Sequence, residues 1–335
     1  MPPELPKTQR AVAITAPGGP EVLSLREGLP VPSPGFDEVL IRVVAAGVNR
    51  HDCNQRRRGP SQSRSDVPGL EVSGYVVMCG EGVSRERVGR PVFALTDGGG
   101  YGEYVVTPSA LAFDCPPQLD LVGAAGLAEA LFTVWLNCFV LMRMAPGESL
   151  LIHGGASGVG SIAIPLMSAL GHTVYATAGT EEKRQFARDL GAAAVFDYAH
   201  AGWGEQLRSA VGARGVDAIL DMSAGAHVET DFEALATGGR MAFLSPGGAK
   251  PLGVPLRRLM EKRIHLTGAM LRTYPLDGKK EIAAELRRHG APLFGTAVTP
   301  RIDSTFVLEQ AGHAHARMES NEHRGKILLA VVDES

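Results

Sequence analysis

The chain has 335 residues, of which 44% are hydrophobic and 21% charged, and a formal net charge of −3. That length allows about two domains and a large apolar core. The balanced charge offers no general basic face, so neither nucleic acid nor an anionic membrane is expected as a partner.

Residues 9–125 read as β-rich. The segments EVLIRVVAAGV (38–48), LEVSGYVVMCG (70–80), RPVFAL (90–95) and YGEYVVTP (101–108) are short, β-branched and punctuated by Gly and Pro. Their irregularity suits a distorted barrel better than a parallel sheet. From about 126 the texture changes. Strand ESLLIHG (148–154) leads into helix GVGSIAIPLMSALG, TVYATAG (173–179) into EEKRQFARDLG, and AAVFDY (193–198) into GEQLRSAVG. VDAILDM (216–222) then precedes helix VETDFEALATGG, and RMAFLS (240–245) precedes PLRRLMEKR and a last strand, IHLTGAM (264–270). Six strands alternating with helices predict right-handed crossovers and an open, doubly wound parallel sheet. Pro165 is expected to kink the first of these helices without ending it. The tail predicts a helix over 278–289, a β segment over 295–307, a helix over 308–319 and a strand over 325–332, returning to the first domain. The fold class is α/β, with domains at 1–125 plus 268–335 and at 126–267.

No run is expected to supply the roughly 18 apolar residues of a membrane span. The opening MPPELPKTQR lacks the apolar core of a secretory signal. Cys53, Cys79, Cys115 and Cys138 form no CxxC pair and no zinc-type spacing, which reads as reduced, buried thiols in a cytoplasmic protein. His313 and His315 stand two apart on a predicted helix and so face different ways, which is unsuited to joint metal ligation.

Strand, glycine turn and helix at 148–171 form a dinucleotide arrangement. The helix N-terminus offers N–H groups and partial positive charge to a pyrophosphate. In the turn Gly155-Ala156-Ser157-Gly158-Val159-Gly160, the three glycines permit close backbone approach, although Ser157 stands where G-x-G-x-x-G has its second glycine. An NAD site wants Asp or Glu at the end of the second strand, and here that end reads Thr177-Ala178-Gly179-Thr180. Lys183 and Tyr198 suit a ribose 2′-phosphate, while Glu181 and Glu182 argue against one, and Lys183 taken alone reads first as a plain helix-surface lysine. Ser223, Phe243, Leu244, Ser245, Ala269, Met270 and Leu271 follow strand ends on the ligand side of the sheet, where backbone groups can meet the cofactor.

The motifs PGGPEVL (17–23), VPSPGFDEVLIRVVAAGVNRHD (31–52), VPGLEVSG (67–74), GGGYGEYV (98–105), LIHGGASGVG (151–160), TAGTEEK (177–183) and NEHRGKILL (321–329) cover nearly the whole chain. Together they resemble the medium-chain dehydrogenase/reductases, in the zinc-free NADPH:quinone oxidoreductase (zeta-crystallin-like) branch. The resemblance implies a GroES-like β-barrel domain interrupted by a Rossmann domain with a six-stranded sheet. It implies that Lys183 and Tyr198 bind the 2′-phosphate, with Asn321 or Arg324 nearest to a further basic contact. It places Thr133 on a nicotinamide-contacting helix, and Asn49 and Asp52 on the stretch approaching the nicotinamide. There Asn49 could donate to the acceptor's carbonyl oxygen, and Asp52 could hold the loop. Where zinc dehydrogenases of the same superfamily carry a ligating Cys and His, this chain has Asn49 and Leu70, so no metal is expected.

Hydride transfer to a quinone needs little acid–base help, whereas an enoyl thioester needs a donor for its enolate. Related enoyl reductases often place a tyrosine in the loop after Asn-x-x-Asp, and here CNQRRRGPSQSRSDVP (53–68) has none. The first expectation is therefore an NADPH-dependent quinone reductase. An enoyl or enone reductase and a non-catalytic NADPH-binding protein are the alternatives. In the 53–68 loop, Arg56, Arg57, Arg58 and Arg64 could steer an anionic acceptor. Strand 264–270 would be a sheet edge, and pairing it with a second copy would give a homodimer or homotetramer.

Overall fold

A computed structural model describes residues 5–60, 65–245 and 251–331. The chain divides into two compact units, one of residues 1–129 with 279–335, the other of residues 130–278. Arg64 lies outside the described residues.

In chain order, β1 (Thr8–Ile14) and β2 (Leu23–Pro30) form an antiparallel hairpin. Strand β3 (Glu38–Val48) runs into helix α1 (Arg50–Arg58), followed by β4 (Glu71–Cys79), β5 (Pro91–Leu95), β6 (Tyr104–Pro108) and β7 (Ala112–Asp114). Helices α2 (Leu121–Ala124) and α3 (Ala128–Trp135) precede the alternating region. That region comprises β8 (Leu150–His153), α4 (Gly160–Ala169), β9 (Val174–Thr177), α5 (Glu181–Asp189), β10 (Ala194–Phe196), α6 (Trp203–Val211) and β11 (Val216–Asp221). It continues through α7 (Val228–Ala234), β12 (Leu235–Phe243), α8 (Leu256–Lys262) and β13 (His265–Gly268). Helix α9 (Leu276–Glu285), β14 (Ile302–Val307), α10 (Ala311–Glu319) and β15 (Lys326–Ala330) complete the described chain.

The first unit is built on a seven-stranded sheet of order β14-β15-β3-β4-β5-β7, with β6 also paired to β3. Strand β3 meets β15, β4 and β6 and is buried along most of its length, which is why it reads as the largely apolar, β-branched run VLIRVV, broken only by the exposed Arg42. Val39, Ile41 and Val43 join Val72, Val92, Tyr101, Ile327 and Leu329 in one core. The second unit is a six-stranded, wholly parallel sheet of order β10-β9-β8-β11-β12-β13. The order reverses between β8 and β11, so their carboxyl ends open a crevice on the ligand side. Leu151, Ile219, Met241 and Phe232 pack the core of this unit.

Five expectations change. The predicted helix over 228–239 ends at Ala234, because Leu235 turns extended and pairs with Val216, so β12 begins five residues early. The expected loop over 53–68 begins as helix α1. The β segment expected over 295–307 is a strand only from Ile302. The β1–β2 hairpin was not foreseen. Residues Leu121–Leu141 are apolar enough to span a membrane by length and composition, yet 78% of that window is buried, as in a core helix. The four cysteines are free, with Cys53 and Cys138 buried.

Candidate functional site

The glycine turn joins β8 to α4. Gly154 has φ +79, which a side chain would strain. Gly155 donates to Thr177 O at 2.9 Å, tying the turn to the end of β9. A Cβ on Gly155 would lie 2.8 Å from the Ala176 Cβ, and one on Gly160 would lie 2.5 Å from Gly154 O. Ser157 replaces the motif's second glycine with a purpose: its Oγ accepts the Gly160 N–H at 3.0 Å. The turn thus holds backbone and only the small side chains of Ala156, Ser157 and Val159 against the helix N-terminus. A pyrophosphate fits such a cradle. Gly160→Ala is expected to abolish detectable dinucleotide binding, read by quenching of protein fluorescence, because the new methyl meets backbone that cannot move aside.

At the end of β9, Thr180 caps α5 by accepting the Lys183 N–H at 3.3 Å. The carboxylate of Glu181 turns away along the helix to Arg184, at 2.8 Å, and to Arg188. Those arginines hold its carboxyl below the usual range. Tyr198 lies directly against Gly179: a Cβ there would be 2.5 Å from its hydroxyl. The second unit therefore brings Gly179, Thr180, Lys183 and Tyr198 to neighbouring strand ends. Tyr198 also packs its ring 5.4 Å from that of His227.

Beneath these groups lies an ionisable pair that the sequence reading missed. His153 Nε2 meets Asp231 Oδ1 at 2.8 Å, and its Nδ1 meets Thr177 Oγ at 3.0 Å. Burial lowers the His153 pKa, but the Asp231 charge and hydrogen bond outweigh it and the net direction is upward. At the end of β11, the buried Asp221 accepts from Ser223 N and Ser223 Oγ, both at 2.5 Å, and from Gly225 N at 2.6 Å. The Ser223 hydroxyl is thus spent on shaping its own turn. Phe243 pairs with both Asp221 and Gly268, and the exposed Met270 precedes a short turn, Leu271–Thr273. Ala269 and Ser245 follow β13 and β12, and Thr133 is buried on α3.

The first unit carries the other candidates. Asn49 ends β3, and its N–H donates to Asp52 Oδ2 at 2.8 Å, starting α1 as a capping box does. Asp52 is wholly buried and also accepts from Gly69 N and Tyr101 Oη, each at 3.3 Å. Burial pushes its carboxyl up to about 7. Tyr101 Oη in turn meets His315 Nε2 at 3.0 Å, and His315 Nδ1 lies 3.3 Å from Arg56. Arginine can only donate, so His315 accepts at Nδ1 and donates from Nε2. Burial, then Arg56, pushes its imidazolium pKa down to about 3. Arg56 is 1% exposed and paired with Glu319 at 2.6 Å, and Arg57 shares that carboxylate at 2.8 Å. These two arginines brace α1 against α10 rather than steer an acceptor. His313 and His315 do face opposite ways: His313 is exposed and His315 buried.

The Asn49 side chain is engaged with two residues the sequence reading did not single out, Glu71 and Lys326, at 2.9 and 3.1 Å. The available signal was a charge opening each of two buried strands. Asn321 sits at φ +58 with its Oδ1 accepting from Arg50 at 2.5 Å, and the Arg324 N–H donates to Asp303 at 2.9 Å. No group of three or more His, Cys, Asp or Glu suited to a metal ion occurs among the described residues.

Comparison with known proteins follows the same division. The alcohol dehydrogenase GroES-like domain family matches residues 35–117, and the zinc-binding dehydrogenase family matches residues 158–288. The quinone oxidoreductase of Rattus norvegicus is 32% identical over 327 residues, covering 96% of this chain and 98% of its own. The chain belongs to the medium-chain dehydrogenase/reductase family, in its quinone oxidoreductase (zeta-crystallin-like) branch. The quinone oxidoreductase of Homo sapiens is 31% identical with the same coverage. Among solved structures, a mycobacterial protein in complex with NADPH is 28% identical, with a TM-score of 0.81 over 96% of this chain and all of its own. As a medium-chain dehydrogenase/reductase, the chain is a nicotinamide-dependent oxidoreductase whose first unit is GroES-like and whose second is a Rossmann sheet.

Proposed function

We propose that the chain is an NADPH-dependent, zinc-independent quinone oxidoreductase. The observation that carries this reading is the end of β9. Gly179 and Thr180 stand where an NAD-binding acid would be, Tyr198 packs on Gly179, and the neighbouring Glu181 is drawn off by two arginines. Lys183 in the first turn of α5 and the Tyr198 hydroxyl then take the 2′-phosphate, supported by Asn321 or Arg324.

When bound, the cofactor supplies a hydride. The protein's own residues bind and orient. Gly155–Gly160 and the N-terminus of α4 receive the pyrophosphate, while Thr133, Ser223, Phe243, Ser245, Ala269, Met270 and Leu271 border the nicotinamide half. Asn49 donates its amide N–H to the acceptor's carbonyl oxygen, and Asp52 fixes the start of α1 beneath it. Asn49 and Leu70 occupy the metal-ligand positions of the zinc dehydrogenases, and a leucine has no lone pair to offer. The acceptor is a small quinone or similar conjugated carbonyl. The edge strand β13, flanked by exposed Leu256, Met260 and Met270, suits pairing with a second copy into a homodimer or homotetramer in the cytoplasm.

The test is the rate of NADPH oxidation with 9,10-phenanthrenequinone, with NADH run beside it. Fast turnover with NADPH alone is expected. Lys183→Ala should raise the KM for NADPH about 10- to 100-fold, the worth of one charge-assisted hydrogen bond, and leave NADH unchanged. An NADH preference in the parent protein would overturn the 2′-phosphate assignment. Turnover of a 2-enoyl thioester but of no quinone would replace the acceptor with a conjugated C=C.

A further inference from the structure

Three buried polar side chains meet at the end of β3. Lys326 Nζ lies 2.5 Å from Glu71 Oε1 and 3.1 Å from Asn49 Oδ1. Asn49 Nδ2 donates to the same Glu71 oxygen at 2.9 Å, and Glu71 Oε2 accepts the Glu129 N–H at 2.9 Å. Exposures are 1% for Lys326, 0% for Glu71 and 8% for Asn49. The space is kept open by two glycines. A Cβ on Gly47 would collide with the Glu71 carboxylate, and one on Gly126 would press on the Lys326 stem at 3.0 Å.

This arrangement fixes a quantity that packing alone leaves free. The two ends of an asparagine amide have nearly the same shape, so sterics do not choose between them. An ammonium can only donate and a carboxylate can only accept. Lys326 therefore pins the oxygen and Glu71 pins the nitrogen. The second Nδ2 proton has no partner among the described residues, and Asn49 is the one member of the trio with residual exposure. A buried ion pair is a poor source of net stability, since a well-packed apolar pair often does as well. Its use here is directional. The cation beside the amide oxygen also draws electrons from the nitrogen, which makes the remaining N–H a stronger donor in a low-dielectric setting.

We propose that Lys326 and Glu71 are positioning residues that aim and polarise the free N–H of Asn49 toward the oxygen of the acceptor. This rests on the quinone-reductase reading given above. A quinone that gains a hydride carries an oxyanion until water supplies a proton, so NADPH, quinone and one proton become NADP+ and hydroquinone. Asn49 stabilises that oxyanion without giving up its own proton.

The variant pair Lys326→Met/Glu71→Gln nearly keeps volume but removes both charges and the donor on Asn49 Oδ1, which together choose the amide's direction. Its kcat with phenanthrenequinone should fall about 10- to 100-fold, short of the about 100- to 1,000-fold expected for Asn49→Ala, with the Kd for NADPH unchanged. Adding Asn49→Ala to the pair should lower kcat no further than Asn49→Ala alone, because the pair acts through that amide. Glu71→Gln alone leaves the ammonium on Oδ1 and should lower kcat less than the pair does, with a lower Tm. Bound 4-nitrophenol, a stand-in for the oxyanion, should ionise at lower pH in the parent than in either the pair or Asn49→Ala, read by absorbance without turnover. Parental kcat in the folded pair, losses that multiply in the triple variant, or an unshifted 4-nitrophenol would each overturn the proposal. Absence of NADPH oxidation by the parent protein would instead overturn the reductase reading.

Discussion

His315→Gln should lose stability as pH rises from about 4 to about 7, by about 4 kcal/mol in all, where the parent stays nearly level. The glutamine can still accept from Arg56 and donate to Tyr101, so the bonds survive and only the titration is removed. The cause is Asp52. Its carboxyl is raised from 3.8 to about 7 by burial, so the folded state holds a proton that the unfolded state has released. The stability this gives is complete below pH 3.8 and is lost as pH rises through about 7. His315 has the opposite sign. Its pKa is depressed from 6.5 to about 3, so its contribution is complete above pH 6.5 and is lost as pH falls toward about 3. In the parent the two slopes oppose each other between about pH 4 and 6.5. Asp52→Asn should therefore show the mirror image, losing stability relative to the parent as pH falls. Urea unfolding at pH 4, 5, 6 and 7 on the three proteins reads both slopes. Parallel curves for parent and His315→Gln would show that the two groups are not buried together as described.

Lys326→Met alone should cost about 3–5 kcal/mol, because it strands the Glu71 carboxylate at zero exposure with only neutral donors. Adding Glu71→Gln should recover most of that loss, since no charge is then left unpaired. The comparison is made by denaturant unfolding at neutral pH. Equal stability of the single and paired variants would mean that water already reaches Glu71. The same pair of measurements separates stability from catalysis, because the recovered protein is the one expected to remain slow.

Much of the fold could be read from local chemistry. The β-branched runs of β3, β4 and β5 sit in strands, and the six alternating strands form the expected parallel sheet. Those signals are periodic and strong. Helix α1 was hidden because RHDCNQRRR is nearly all polar, and only the bond from the Asn49 N–H to Asp52 marks its start, with Gly59 at φ +86 as its end. The start of β12 was hidden because EALA favours helix locally, and only pairing with Val216 overrides it. At the site, the glycine turn and the Thr177–Lys183 segment are contiguous in sequence and were legible. The Arg56–Arg58 run suggested charges that steer an anionic acceptor, yet its first member is buried and paired with Glu319, which lies 263 residues away. Glu71 and Lys326 likewise find each other only through the fold.

That distance has a consequence during synthesis. Strand β15 lies between β14 and β3, so the sheet of the first unit stays unfinished until the last segment is made. Glu71 and Lys326 are 255 residues apart. A ribosome adding about 5–20 residues per second needs between about 10 and 50 s to cover that stretch. Through that interval the nascent β3 shows an unpaired edge at Ala45–Val48 and Glu71 lacks its counter-charge. The whole parallel sheet emerges within the same window and is free to fold. The first unit is therefore begun first and closed last, with its edge at Ala45–Val48 open to pairing until then.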